Sequence, residues 1–192
     1  MADTASAILE LRNKPFELLQ ELERRSRVAA SGRGRETAQQ EEWVGVGFRV
    51  GTAYLVSARN EVREILPFPG VTKLPGAKPW LLGLANIRGQ LLPITDLNLF
   101  FGGAPTDIDR MTRVLMVNHP EIPAGLLVGE VRGFRRFMDA ERVETLPDLL
   151  PGMTPFISGA YSTGEELWGV LGMPGLVENP LFLDAAILKV LS

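Results

Sequence analysis

This sequence predicts a mainly β fold preceded by one amphipathic helix, and three observations carry that prediction. Short apolar runs, commonly bounded by Gly, Pro, Asn or Asp, recur from Trp43 onward. The first of them alternates with the period of two that a half-buried strand requires. A set of residue patterns also occurs twice in the same order, as two related β lobes would give.

The helix comes first. Pro15, Leu18, Leu19 and Leu22 recur at helical spacing, while Glu17, Glu21, Arg24 and Arg25 fall mostly elsewhere. Asn13 is placed to cap the start. Pro15 sits in the first turn, where its missing N–H does little harm. The spacing predicts a helix from about Lys14 to Val28. From Ser31-Gly32-Arg33-Gly34-Arg35 to Gln39-Gln40-Glu41-Glu42 there is no apolar periodicity, so this stretch reads as a linker.

The β region follows. Val44, Val46, Phe48 and Val50 alternate with Gly45, Gly47 and Arg49. Gly51-Thr52 turns the chain, and Ala53 to Val56 returns as a second strand. Further apolar runs at 80–85, 91–94, 114–117, 124–128, 156–160 and 167–171 have strand length, with Gly, Pro, Asn or Asp commonly at their ends. Such spacing fits a compact all-β architecture better than alternating β and α elements.

The repeat ties these runs together. Pro79-Trp80-Leu81-Leu82-Gly83 and Pro155-Phe156-Ile157-Ser158-Gly159 share a Pro-aromatic-x-x-Gly skeleton. Each leads to a turn, Arg88-Gly89-Gln90 or Thr163-Gly164-Glu165, and then to an apolar strand. Earlier in each half stands the same triplet, Glu61-Val62-Arg63 and Glu130-Val131-Arg132. The common order predicts two related β lobes with a shared core.

Composition narrows the function classes. The 192 residues carry a formal net charge of −3 and no cysteine, which argues against a nucleic-acid footprint and excludes thiol catalysis and thiolate metal sites. No window of about 18 uncharged apolar residues suggests a membrane span. The first residues lack the basic flank and apolar run of a secretory signal. A cytoplasmic protein without direct membrane insertion is expected.

Reactive groups are sparse. His119 is the only histidine, lies before Pro120 between two strands, and is read as an exposed loop residue. Zinc needs more ligands of this kind than the chain has. Asp107-Ile108-Asp109 lacks the rest of a calcium loop. Gly45-Val46-Gly47-Phe48-Arg49-Val50-Gly51 misses G-x-G-x-x-G by one residue and lies in a strand, not before a helix. Neither a catalytic site nor a cofactor is expected. A small β-barrel module that binds a metabolite stays as an alternative, and would need convergent polar groups in a pocket.

The most specific stretch runs Gly83-Leu84-Ala85-Asn86-Ile87-Arg88-Gly89-Gln90-Leu91-Leu92-Pro93-Ile94-Thr95-Asp96-Leu97, then Phe100-Phe101-Gly102. Asn86 and Gly89 supply turn geometry, and Pro93 signals a strand edge or end. The stretch resembles the signature of CheW-like domains, roughly G-x-x-N-x-R-G-x-x-x-P-[IV]-x-D-L followed by a Phe-Gly pair. Tyr54, Asn60 to Ile65, Thr72 to Pro75, Gly125 to Val131 and Pro155 to Gly159 resemble other family elements in the expected order. The resemblance covers roughly Trp43 to Val177. One departure is Gly129, where the family usually has Asp.

The resemblance implies two small SH3-like, mostly five-stranded β-barrels packed side by side. It divides the chain into an N-terminal extension and linker (1–42), a CheW-like domain (43–180) and a short tail (181–192). The implied role is a non-catalytic adaptor joining the cytoplasmic tip of a methyl-accepting chemoreceptor to the regulatory domain of a CheA-type histidine kinase. The extension, with Pro15-Phe16-Glu17-Leu18-Leu19 leading to Arg24-Arg25, resembles PilI-type adaptors of type IV pilus twitching systems more than flagellar CheW. A flagellar scaffold is the alternative within the family. Carried over residue by residue, the family's partner-binding positions fall on Val62, Glu64 and Arg88. Asn86, Gly89 and Asp96 are expected to shape the hairpin. The residues alone allow Val62 in the core as readily as at an interface, and the bland alternative for Glu64 and Arg88 is a plain surface pair.

Overall fold

The computed structural model describes residues 42–185. The helix expected over 14–28 and nearly all of the linker lie outside the described residues. The strands are β1 (Glu42–Val50), β2 (Ala53–Ala58), β3 (Val62–Pro67), β4 (Leu81–Ile87), β5 (Gln90–Asp96), β6 (Arg113–Val117), β7 (Gly125–Val128), β8 (Glu130–Met138), β9 (Arg142–Val143), β10 (Ile157–Thr163) and β11 (Glu166–Leu171). Among the described residues the strands are accompanied by short α-helices, α1 (Leu97–Phe100), α2 (Met173–Val177) and α3 (Pro180–Leu183), and by single 3₁₀ turns. The mainly β prediction holds. β8 was not foreseen as a strand, because Arg132, Arg135 and Arg136 break its apolar pattern.

The strands form two sheets, ordered β3-β6-β7-β5-β4 and β8-β1-β2-β11-β10-β9. Apart from the two-residue β9, the orders correspond strand for strand, with β8 matching β3, β1 matching β6, β2 matching β7, β11 matching β5 and β10 matching β4. Each sheet has one parallel pair in the same place, β5 with β7 and β11 with β2. Register agrees as well: Ile94 faces Gly125 in one parallel pair and Val170 faces Val56 in the other. The repeated Glu-Val-Arg triplet marks a β-bulge in both sheets. Val62 and Glu64 pair with Val117 and Met116, leaving Arg63 extra, and Val131 and Gly133 pair with Phe48 and Gly47, leaving Arg132 extra.

The sheets are nevertheless not the two halves of the sequence. Leaving β9 aside, each takes a hairpin from one half and three strands from the other, so the halves exchange strands reciprocally. Connection length dictates this. Were β3 to complete the sheet of its own hairpin, it would run parallel to β2 with β1 between them. Such a crossover takes a dozen or more residues. Only Arg59–Glu61, a single 3₁₀ turn, joins β2 to β3, and Gly129 alone joins β7 to β8. The chain therefore steps into the other sheet at both points.

One core lies between the sheets. It combines Phe48, Val50 and Leu55 with Leu115, Val117, Leu126 and Val128, plus Leu97 of α1 and Met173, Leu176 and Val177 of α2. Each sheet has a second buried face of its own. That of the five-stranded sheet is aliphatic, with Leu92, Ile94, Val114, Met116 and Leu127. The six-stranded sheet buries Phe137, Tyr161 and Trp168 instead. Gly47 makes room for Trp168, into which a Cβ at that position would press. The tail expected from residue 181 begins inside packed structure. Phe182 is buried and stacks on Trp80, and Lys78 Nζ meets the Asp184 carboxylate at 2.6 Å.

Candidate functional site

β3 is an edge strand, so its outer backbone groups and every second side chain are available to a partner. Its residues alternate between half-buried and exposed along the whole strand. Val62 is half-buried and packs against the shared core. Glu64 extends to the β4–β5 hairpin, where its Oε1 accepts a hydrogen bond from Arg88 Nη2 at 2.5 Å. The Arg88 side chain is 77 % exposed, so the pair stands on the surface.

The hairpin that presents Arg88 is tightly specified. Ile87 pairs with Gln90, leaving Arg88-Gly89 as a two-residue turn. Asn86 Oδ1 accepts the Gly89 N–H at 2.9 Å. Both turn residues have positive φ, 52° and 83°, as a type I′ turn needs. Arg88 is the one non-glycine residue with positive φ among the described residues. That conformation disfavours a side chain with a Cβ, so the backbone holds arginine here at a cost.

Asp96 belongs elsewhere than the sequence suggested. It ends β5, away from the turn, and caps α1 by accepting the Asn98 and Leu99 amides. It also accepts Thr106 N–H and Oγ1–H, both at 2.7 Å, which fixes the 102–106 loop. Four donors explain how a carboxylate that is only 1 % exposed is accommodated.

Beside β3 is a cavity of about 330 Å³ at the seam of the two sheets. Val46, Val62, Ile65 and Phe134 give it an apolar floor, with Arg59, Arg63 and Glu64 around it. Ile65 and Phe134 occupy corresponding positions in the two sheets, and both are exposed. Arg59 lies 5.4 Å over the Phe134 ring. Sequence reasoning missed Phe134, since β8 was not read as a strand. Its signal was the match between Glu130-Val131-Arg132 and Glu61-Val62-Arg63, which places Phe134 opposite Ile65 in the repeat.

His119 is also not the exposed loop residue expected. Its side chain is 10 % exposed. Nδ1 accepts the Glu121 and Ile122 amides, so Nε2 carries the proton and donates to Glu178 Oε1 at 3.0 Å. Histidine here ties the β6–β7 loop to the end of α2. No cluster of three or more potential metal ligands occurs among the described residues. The arrangement offers recognition chemistry: an exposed ion pair on a rigid hairpin, an open strand edge and an apolar seam with basic neighbours.

The comparisons agree with this picture. A family model described as the CheW-like domain matches residues 44–180. Protein PilI of Pseudomonas aeruginosa is 39 % identical over 173 residues, covering 90 % of this chain and 97 % of that protein. Chemotaxis protein CheW of Helicobacter pylori is 26 % identical, covering 84 % and 96 %. The crystal structure of the scaffolding protein TtCheW from Thermoanaerobacter tengcongensis shares the fold with a TM-score of 0.62 at 22 % identity, over 72 % of this chain and 94 % of that one. With a family model spanning most of its length and a relative matched almost end to end, this chain belongs to the CheW-like domain family.

Proposed function

We propose that the protein is a chemosensory adaptor that binds the regulatory domain of a CheA-type histidine kinase and the cytoplasmic tip of a methyl-accepting receptor, and that it serves type IV pilus twitching. Nearly full-length similarity to PilI supports the pilus assignment over flagellar chemotaxis. In this reading each sheet closes as an SH3-like barrel lobe, the segment 14–28 is an added helix, and the protein works in the cytoplasm at receptor arrays. No helix among the described residues is long and apolar enough to cross a membrane, so membrane recruitment would come through the receptor.

The observation that carries the proposal is Arg88. An arginine held at positive φ, largely in solvent and joined to Glu64 of the neighbouring edge strand, contributes little to stability for the strain it imposes. Arginine in such a place suits recognition, since its planar guanidinium stacks and makes paired hydrogen bonds. Val62 supplies adjacent apolar contact, while Asn86 and Gly89 hold the turn. Function is positional: the adaptor fixes two partners so that receptor conformation biases kinase output. Calorimetric titration of the full chain with purified kinase regulatory domain, and with a receptor-tip fragment, tests the reading. Saturable binding of both is expected, and absence of binding to either overturns it.

A further inference from the structure

The correspondence between the sheets shows what is missing from one of them. In the six-stranded sheet, the Tyr54 ring packs against both Arg132 and Trp168. The Arg132 guanidinium covers the ring at 4.9 Å and donates Nη2–H to its hydroxyl at 2.8 Å. The Trp168 ring lies 5.2 Å from the same ring, centroid to centroid. The corresponding residues in the five-stranded sheet are Pro123 for Tyr54, Leu92 for Trp168 and Arg63 for Arg132, by the registers that match the two sheets. Met116 stands where Gly47 stands, and returns the volume lost between Trp168 and Leu92. Pro123 for Tyr54 has no such compensation.

The place of the missing ring is open. A cavity of about 340 Å³ is lined by Arg63, Ile87, Gln90, Leu92, Met116 and Pro123, among others. Its floor is apolar: Leu92 and Met116 belong to the buried face of this sheet. Leu91, 64 % exposed, stands at its margin. Arg63 is the extra residue of its bulge just as Arg132 is, and it is exposed where Arg132 is covered by its ring.

We infer that this cavity is a receptor site for a tyrosine side chain presented by a protein partner, with Arg63 closing over the ring as Arg132 closes over Tyr54. The ring would replace the contacts that Tyr54 makes internally in the other sheet, and an arginine over an aromatic face strengthens such contacts. Nothing in the inference depends on which partner the adaptor serves.

The test is a titration of the full-length, methyl-labelled chain with p-cresol, the tyrosine side chain itself, followed by NMR. Saturable shifts of the Leu91, Leu92 and Met116 methyls are expected, with much weaker shifts for cyclohexanol of similar size. Pro123→Tyr should fill the cavity from within and abolish the cresol shifts. Arg63→Ala changes an exposed side chain and does not endanger the fold, and should weaken cresol binding by about tenfold, the scale of one cation–π contact. Equal response to cresol and cyclohexanol, no saturable response, or unchanged binding in Arg63→Ala overturns the proposal. So would methyl shifts that follow protein concentration alone, since the occupant would then be a second copy of this chain.

Discussion

The Glu61 carboxylate accepts the amide of Met173 at 3.0 Å, linking the crossover after β2 to the first residue of α2. In the matching place of the other sheet, Asp96 caps α1 with its own side chain. The position corresponding to Asp96 is Gly172, which has no side chain to offer. Glu61 fulfils that role from across the fold.

This borrowed cap carries a pH signature. Burial raises the Glu61 pKa above 4.5, partly opposed by the Met173 hydrogen bond. A raised carboxyl pKa means the folded state holds the proton more tightly. The associated stability is fully present below the unfolded value and is lost as pH rises through the folded one. Glu61→Gln keeps an acceptor for Met173 and removes the charge. Its denaturation midpoint relative to wild type should therefore be more favourable at pH 7 than at pH 4. A difference independent of pH would refute the assignment.

Arg88 separates stability from affinity. Arg88→Ala removes an exposed ion pair and should cost at most about 1 kcal/mol of stability. Its affinity for kinase or receptor should fall by about 2 kcal/mol or more. Arg88→Gly should be more stable than Arg88→Ala by about 1 kcal/mol, the reverse of the usual order, because φ at this position is positive. Urea melts and calorimetry on the same variants decide both points. An Arg88→Ala protein that binds both partners as wild type does removes Arg88 from the interface.

His119→Ala tests the loop clamp. Two backbone amides and Glu178 lose their partner, in a place where the imidazole is nearly buried. The expected loss is about 1–2 kcal/mol, against near zero for an exposed loop residue. A thermal melt unchanged from wild type would restore the exposed-loop reading.

Gly129→Asp restores the residue usual in the family. A Cβ at Gly129 would lie 3.4–3.6 Å from the Arg49 guanidinium, in ordinary contact. Gly129 is not among the positive-φ glycines, so aspartate fits the backbone. An added ion pair and a less flexible unfolded chain together predict a gain of about 0.5–1 kcal/mol. A destabilised variant would show that Glu130, already 3.5 Å from Arg49, leaves no favourable place for a second carboxylate.

The strands with period-two or continuous apolar runs were legible in the sequence, because alternation and burial leave the same mark. β8 was not, since its arginines serve Tyr54, Trp168 and Glu42 and look like a solvated turn. The repeat revealed which strands correspond, and even the bulge at Arg63 and Arg132. It did not reveal the exchange between halves, for the same registers serve either pairing. The deciding signal was the length of the two crossovers. At the site, Asn86, Arg88 and Gly89 were placed on one turn by local sequence. Phe134 comes from distant sequence, as do the contacts of His119 and Asp96 with Glu178 and Thr106, and no local pattern encodes them.

The reciprocal exchange also sets a timetable for synthesis. The five-stranded sheet is one continuous stretch, from Val62 to Val128, and all its strands leave the ribosome together. Of the described strands the β1–β2 hairpin emerges first, yet β8 and β11, its neighbours on either side, follow only after the whole five-stranded sheet. At roughly 5–20 residues per second, that hairpin waits on the order of ten seconds with both edges unpaired. A lone two-stranded hairpin is marginal in water, and open edges invite pairing with other chains. The nascent protein is thus most vulnerable to aggregation in its earliest-made strands, and a chaperone that shields β1 and β2 until Leu171 is clear would raise the yield of folded adaptor more than one acting on the finished chain.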